Sequence, residues 1–142
     1  MAKKVHRLLT AIDDNIGLIG LSSDESDYRL VWLINEEAGT GFIRMEDLNL
    51  YHKKLDSEQT FPLFQYYDDD SLLTYRLIGN RCENGFFLEE VKNLDFLILI
   101  QGEVFPDEME RFLEKISRVT SVRMCVPVDL NRLRSTERLY LW

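Results

Sequence analysis

A run of apolar residues late in the chain constrains the fold more than any other segment. From Leu94 to Ile100 every residue except Asp95 is apolar, so an extended chain here would have two apolar faces. A strand of this kind needs protein packed against both of its faces. We therefore predict that Leu94 to Ile100 forms a central strand of a sheet.

Two segments carry the signals of α-helices. The first predicted helix is residues 23–38. Ser22 and Glu25 have the spacing of a capping box at its start, and Gly39 follows as a C-terminal cap. The alternative for this segment is a strand, because it is rich in β-forming residues. Residues 106–118 predict a second helix with Asp and Glu in its first turn. Its apolar residues recur at i, i+3, i+4 and i+7, at Met109, Phe112, Leu113 and Ile116.

The other apolar segments predict the rest of a sheet. We expect an α+β fold in which residues 1–142 form a single domain, with a mixed, mainly antiparallel sheet of about six strands and both helices on one face. The strand, helix and strand of residues 94–128 predict a right-handed crossover and a parallel pair. The remaining strands are expected at residues 4–12, 42–50, 61–67, 72–78, 119–128 and, as an edge strand, 139–142. Polar loops are expected at 52–59 and 79–85, and a short extended piece with a bulge or turn at 16–21.

Composition and charge limit the classes of function. The net charge is -8, and it is uneven: residues 1–110 hold 10 Lys/Arg and 22 Asp/Glu, whereas residues 111–142 hold 7 and 3. An acidic body repels nucleic-acid phosphates, so nucleic-acid binding is not expected to be the main function. The alternative is RNA binding through the basic C-terminal segment, by Arg118, Arg123, Arg132, Arg134 and Arg138.

The sequence also predicts a compartment. Two cysteines, Cys82 and Cys125, are too few for a disulfide framework in a chain of 142 residues. No apolar stretch is long enough to span a membrane, and the basic start of the chain lacks the apolar run of a signal peptide. We expect a cytoplasmic protein with no membrane partner.

Acidic residues are the main candidates for chemistry. Asp95 near the start of an apolar strand needs a polar partner, and Glu89 and Glu90 precede it closely, which leaves open a carboxylate- or metal-dependent enzyme. The run 68–70 is three successive Asp residues, which favours a solvated turn over a cation site. The two histidines, at positions 6 and 52, have no Cys or second His nearby, so we predict no metal site and no cofactor.

The remaining polar and aromatic candidates lie in the middle of the chain. Arg76 and Arg81 are the candidate partners of Asp95, and Asn80 is expected to satisfy backbone groups at the end of a strand. Aromatic residues crowd the hairpin of residues 61–78 on both of its faces, and those left outside the core would mark a protein interface. The candidate interface residues are Phe64, Tyr66, Tyr67 and Tyr75.

The segment from Leu88 to Phe96 resembles the signature of a small Bacteroidetes family named after the pattern Ile-Pro-Glu-x-x-x-Val-Asp-Tyr. Here Glu89 stands where the pattern has Pro, and Leu94 and Phe96 replace its Val and Tyr. Further blocks at residues 19–23, 27–35 and 75–81 also resemble this family, so the resemblance covers most of the chain. It implies a bacterial cytoplasmic protein, and it implies no reaction.

We therefore expect a non-catalytic interaction domain, either an adaptor for another protein or a homo-oligomer. The aromatic hairpin would form its interface. The enzyme based on Asp95, Glu89 and Glu90 and the RNA-binding protein remain the alternatives.

Overall fold

The computed structural model describes residues 16–134 and 136–142, which form an α+β fold with a six-stranded sheet. The strand order is β10-β1-β9-β6-β5-β2, and every neighbouring pair is antiparallel. The strands of this sheet are β1 (Ile16–Ser22), β2 (Ile43–Arg44), β5 (Leu63–Asp68), β6 (Leu73–Gly79), β9 (Phe96–Gln101) and β10 (Met124–Pro127). Two further hairpins pair β3 (Leu48–His52) with β4 (Ser57–Phe61), and β7 (Arg81–Cys82) with β8 (Gly85–Phe86). The helices are α1 (Asp27–Ala38) and α2 (Pro106–Ser117), and short 3₁₀ turns lie at Glu89–Val91, Leu130–Arg132 and Glu137–Tyr140.

The predicted central strand is confirmed. β9 pairs with β1 on one side and with β6 on the other, and its residues from Phe96 to Ile100 are all buried. Two apolar clusters lie on opposite faces of the sheet. One includes Ile98 and Ile100, and the other includes Leu97 and Leu99. Successive side chains of β9 therefore point alternately into the two clusters, as expected for an apolar strand with both faces covered.

The two predicted helices are also confirmed, with one change at a helix start. α1 is capped by Ser26, whose hydroxyl accepts from the Arg29 N–H, and not by Ser22. Gly39 ends the helix with φ 72°, a conformation in which glycine has no Cβ penalty. Both helices contribute to the same apolar cluster, so they pack on the same face of the sheet.

The expected parallel pair is wrong. β9 and β10 do run in the same direction, because each is antiparallel to β1, but β1 lies between them. Gly17 and Gly20 predict a short extended piece with a bulge or turn at residues 16–21. These residues instead belong to β1, where a Cβ on Gly20 would lie 2.2 Å from the Leu94 side chain. Gly20 thus allows Leu94 to pack directly on the strand.

Several smaller predictions change as well. The expected loops 52–59 and 79–85 contain the ends of hairpins, and residues 42–50 divide into β2 and the start of β3. Residues 139–142 do not form an edge strand, since Glu137–Tyr140 is a 3₁₀ turn that buries Leu139 in the second apolar cluster. The predicted strand at residues 4–12 lies outside the described residues. The predicted hairpin is confirmed as β5 and β6, and Asp68 holds its turn by accepting from the Asp70 N–H and the Ser71 hydroxyl.

Candidate functional site

Asn80 organises the segment that resembles the family signature. Its side chain is fully buried, and its Oδ1 accepts from the Leu88 N–H at 2.9 Å. Its Nδ2 donates to the carbonyl oxygens of Val91, at 3.1 Å, and Leu94, at 2.8 Å. The Asn80 backbone adds a bond to the Asp95 carbonyl. One amide side chain thus satisfies three backbone groups of a segment with little regular structure of its own, which is the role expected of it from the sequence.

Asp95 lies at the start of β9 and joins it to the turn between β1 and α1. Its Oδ2 accepts from the Ser23 N–H at 2.9 Å and from the Ser22 hydroxyl at 3.3 Å. Its Oδ1 lies 3.0 Å from Nη2 of Arg81, and Nη2 of Arg123 lies 4.0 Å from Oδ2. Of the two expected partners, Arg81 is therefore correct. The carboxylate thus accepts hydrogen bonds from a backbone N–H and a hydroxyl and forms an ion pair with an arginine.

Arg76 is not a partner of Asp95. Its Nε donates to Gln65 at 3.0 Å, and its Nη1 donates to Gln101. The guanidinium carbon lies 4.6 Å from the centre of the Trp142 ring, a cation–π distance. Burial lowers the pKa of this guanidinium. The reason for the error is strand register: Arg76 lies opposite Leu99 of β9, four residues along the strand from Asp95, and its other neighbour is Gln65 of β5.

The hydrogen bonds of Glu90 and Asp95 lead to different parts of the chain. The Glu90 carboxylate accepts from the Arg134 N–H at 2.7 Å, which connects the segment from Leu88 to Phe96 to the C-terminal segment. Across residues 16–134 and 136–142, no group of three or more His, Cys, Asp or Glu side chains is placed to hold a metal ion.

The predicted aromatic interface is largely wrong. Phe64 and Tyr75 are buried in the helix-side cluster, and Tyr75 packs against Phe112 with ring centres 4.4 Å apart. Burial raises the pKa of Tyr75 to about 12. Tyr66 is half-buried and stacks on Tyr75, and only Tyr67 is strongly exposed. The sheet accepts aromatic residues on this face because α2 covers it, and that cover is not visible in the hairpin sequence.

Two strongly exposed aromatic side chains lie instead on α1. Tyr28 is 64% exposed and Trp32 is 53% exposed, one helical turn apart. The Arg29 guanidinium carbon lies 5.1 Å from the Trp32 ring centre, and that of Arg44 lies 5.8 Å from the Tyr28 ring centre. We call Tyr28, Arg29, Trp32 and Arg44 the α1 surface. The sequence contains a sign of this surface, because Tyr28 and Trp32 are spaced i, i+4 and lie outside the apolar stripe that the helix buries.

The basic C-terminal segment is mostly occupied by internal contacts. Arg138 is half-buried and donates to the carbonyl oxygens of Phe86 and Phe87, each at 3.1 Å, and to Gln59 at 2.7 Å. Burial lowers the pKa of this guanidinium. Three other arginines of the segment form ion pairs with nearby acids: Arg118 with Glu114, Arg123 with Asp24, and Arg132 with Asp129.

An open cavity of about 310 Å³ lies at the other end of β1, beside the start of α2. Apolar side chains such as Val104, Met109 and Leu130 line much of it, together with Asp129 and Asn131. The cavity lies apart from Asp95 and Asn80, neither of which lines it.

The comparisons with known proteins give no relative. No family model, no curated protein and no solved structure matches the chain. The resemblance of the segment from Leu88 to Phe96 to a known signature therefore stays a prediction. In the part of the chain that the structure describes, neither helix has the length and apolar character needed to cross a lipid bilayer.

Proposed function

We propose that the protein is a non-catalytic interaction domain that binds a protein partner through the α1 surface. The observation that carries the proposal is the exposure of Tyr28 and Trp32 on one side of a helix whose opposite side is buried in the core. Tyr, Trp and Arg are the residues most enriched among those that dominate binding energies at protein interfaces. The α1 surface contains all three types within a few residues.

The arrangement of the arginines supports this proposal. Arg29 over Trp32 and Arg44 over Tyr28 hold the two rings by cation–π contacts, so the aromatic groups lose less side-chain freedom on binding. Arg44 is itself held by an ion pair with Asp47. A surface that is ordered before binding costs less entropy to dock.

The proposal includes the bacterial cytoplasm as the compartment. Cys82 and Cys125 are free thiols in the structure, which fits a reducing environment. Burial raises the pKa of the Cys125 thiol to about 11, so this thiol is poorly reactive at neutral pH.

The test compares affinity purifications of the tagged protein from its own host. Trp32→Ala is the test variant, and Tyr51→Ala is the matched control, because Tyr51 is 58% exposed but lies on the β3–β4 hairpin. We expect at least one protein, either a different chain or an untagged copy of this one, to be retained by the control and lost with Trp32→Ala. If the set of retained proteins is the same for both variants, the proposal is wrong.

A further inference from the structure

Two opposite charges flank Trp32 on the solvent side of α1. Arg29 precedes it by three residues and Glu36 follows it by four. Since an α-helix turns about 100° per residue, Arg29 and Glu36 point within about 20° of the same direction, about 10 Å apart along the axis. Both side chains are exposed.

Neither charge has an ionic partner within residues 16–134 and 136–142. Arg29 lies over the Trp32 ring, and its guanidinium forms no salt bridge there. The neighbouring Glu37 differs from Glu36, because its carboxylate accepts from the Thr120 N–H at 2.7 Å. The helix thus uses one of its adjacent glutamates internally and presents the other to solvent beside Trp32.

This spacing is self-complementary. If two α1 helices pack antiparallel about a two-fold axis that passes between positions 32 and 33, residue 29 of one faces residue 36 of the other. Arg29 would then meet Glu36 of the partner subunit, and the same pair would form a second time. The two Trp32 rings would lie between these ion pairs, near the axis, where a two-fold interface has its most buried contacts.

We infer that the occupant of the α1 surface is a second copy of this chain, docked through antiparallel α1 helices. The inference rests on the proposed function and names its partner. Local charge complementarity favours this occupant, because each copy presents both an Arg29 and a Glu36, whereas two chains of net charge -8 repel one another unless local attraction offsets the repulsion. The matched pairs of Arg29 and Glu36 supply that local attraction and fix the register of the two helices.

The size of the contact predicts a weak dimer. α1 has 12 residues, which corresponds to about 18 Å of helix. A contact of this length lies at the small end of specific interfaces, so we expect a dissociation constant on the order of micromolar.

The experiment is sedimentation velocity of the full chain at about 1–300 μM, with charge reversals at both positions. We expect R29E and E36R each to weaken the dimer by roughly tenfold or more, since each converts two attractive pairs into two repulsive ones. The double variant R29E/E36R restores both pairs with the charges exchanged. It should recover an affinity within about threefold of the original chain.

An equimolar mixture of R29E and E36R gives the sharpest result. Each variant alone is repulsive, whereas their heterodimer has two attractive pairs, so mixing should restore dimers. The matched controls are E110R and R111E, which make the same charge changes at exposed positions of α2 and should leave dimerisation unchanged. Circular dichroism of every variant verifies folding.

Three results would overturn the inference: a monomer at every concentration, single reversals without effect, or no association in the mixture. These results separate it from the proposed function. If the chain is monomeric but Trp32→Ala still loses a different protein in the affinity purification, the interaction domain stands and only the second copy is wrong. If one of these three results is obtained and Trp32→Ala also loses no protein in the affinity purification, both are wrong.

Discussion

Replacing Asn80 tests whether one buried amide holds the segment from Leu88 to Leu94 in place. Asn80→Leu has a similar volume but can neither accept from the Leu88 N–H nor donate to the carbonyl oxygens of Val91 and Leu94. Each backbone group left buried without a partner costs about 1–3 kcal/mol. Because three groups are affected and some will reach water, we expect a loss of about 3–6 kcal/mol in the free energy of unfolding.

The assay is urea unfolding followed by tryptophan fluorescence and circular dichroism. For a chain of 142 residues, 1 kcal/mol corresponds to a Tm change of about 3 °C. The matched control is Asn93→Leu, since Asn93 lies in the same segment but is exposed. A loss below about 1 kcal/mol for Asn80→Leu, or an equal loss for the control, would refute the role of Asn80.

Asn80→Asp adds a pH dependence with a definite sign. The new carboxyl would be buried and would face the carbonyl oxygens of Val91 and Leu94, so its pKa should be raised above the value of about 3.9 in the unfolded chain. The folded state then binds more protons than the unfolded state between these two pKa values. The deficit in stability relative to the original chain is therefore largest at neutral pH and shrinks as the pH falls towards about 4. Asn93→Asp should show no such change.

Four further predictions concern other parts of the fold. Gly20→Ala places a Cβ 2.2 Å from the Leu94 side chain and should cost about 1–3 kcal/mol in urea unfolding, and combining it with Leu94→Ala should cost less than the sum of the two single changes. Leu72→Asn should stabilise the protein by about 0.5–1 kcal/mol, because Leu72 has φ 61° and a side chain that is 66% exposed; a lower Tm would contradict this reasoning. Arg138→Met removes three hydrogen bonds from a half-buried guanidinium and should cost about 2–3 kcal/mol by the same urea assay. The Cys125 thiol, whose pKa is raised from 9.0 to about 11, should react with iodoacetamide at pH 8 about 100-fold more slowly than in the unfolded chain. The same pKa shift predicts that the Cys125 thiol contributes fully to the free energy of unfolding below pH 9, and that this contribution is lost as the pH rises towards 11.

Local patterns predicted the elements whose signals lie within their own residues. β9 was predictable because an apolar run with no polar face can only lie inside a sheet. α2 was predictable because its apolar residues recur with helical spacing after Pro106. The C-terminal cap at Gly39 also depends only on local backbone conformation. Each of these features needs no knowledge of a distant segment.

Features that depend on distant segments were the ones predicted wrongly. Gly17 and Gly20 suggest a break in the strand, yet both lie within β1. Glycine is found there because the side chains of Met109 and Leu94 approach the strand closely at these two positions. β9 and β10 suggest a parallel pair, yet β1 enters between them from far earlier in the chain. Strand pairing is decided by which edges the whole chain leaves available, and this information is not contained in any single segment.

In the candidate site, too, the sequence alone did not show which residues matter for which property. This difference indicates where experiments on function should begin. Asp95 and Asn80 attract notice in the sequence because polar groups beside an apolar strand are costly to bury. In the structure they bind backbone groups and Arg81, so we expect their substitution to lower the stability of the fold. Arg29 and Glu36 attract little notice, because charged residues on a helix are usually only solvated. Yet they lie on either side of an exposed Trp32 without an ionic partner among the described residues. We expect charge reversals at these positions to alter the proposed binding at little cost in folding, and so to test a function that substitution of the buried polar residues would obscure.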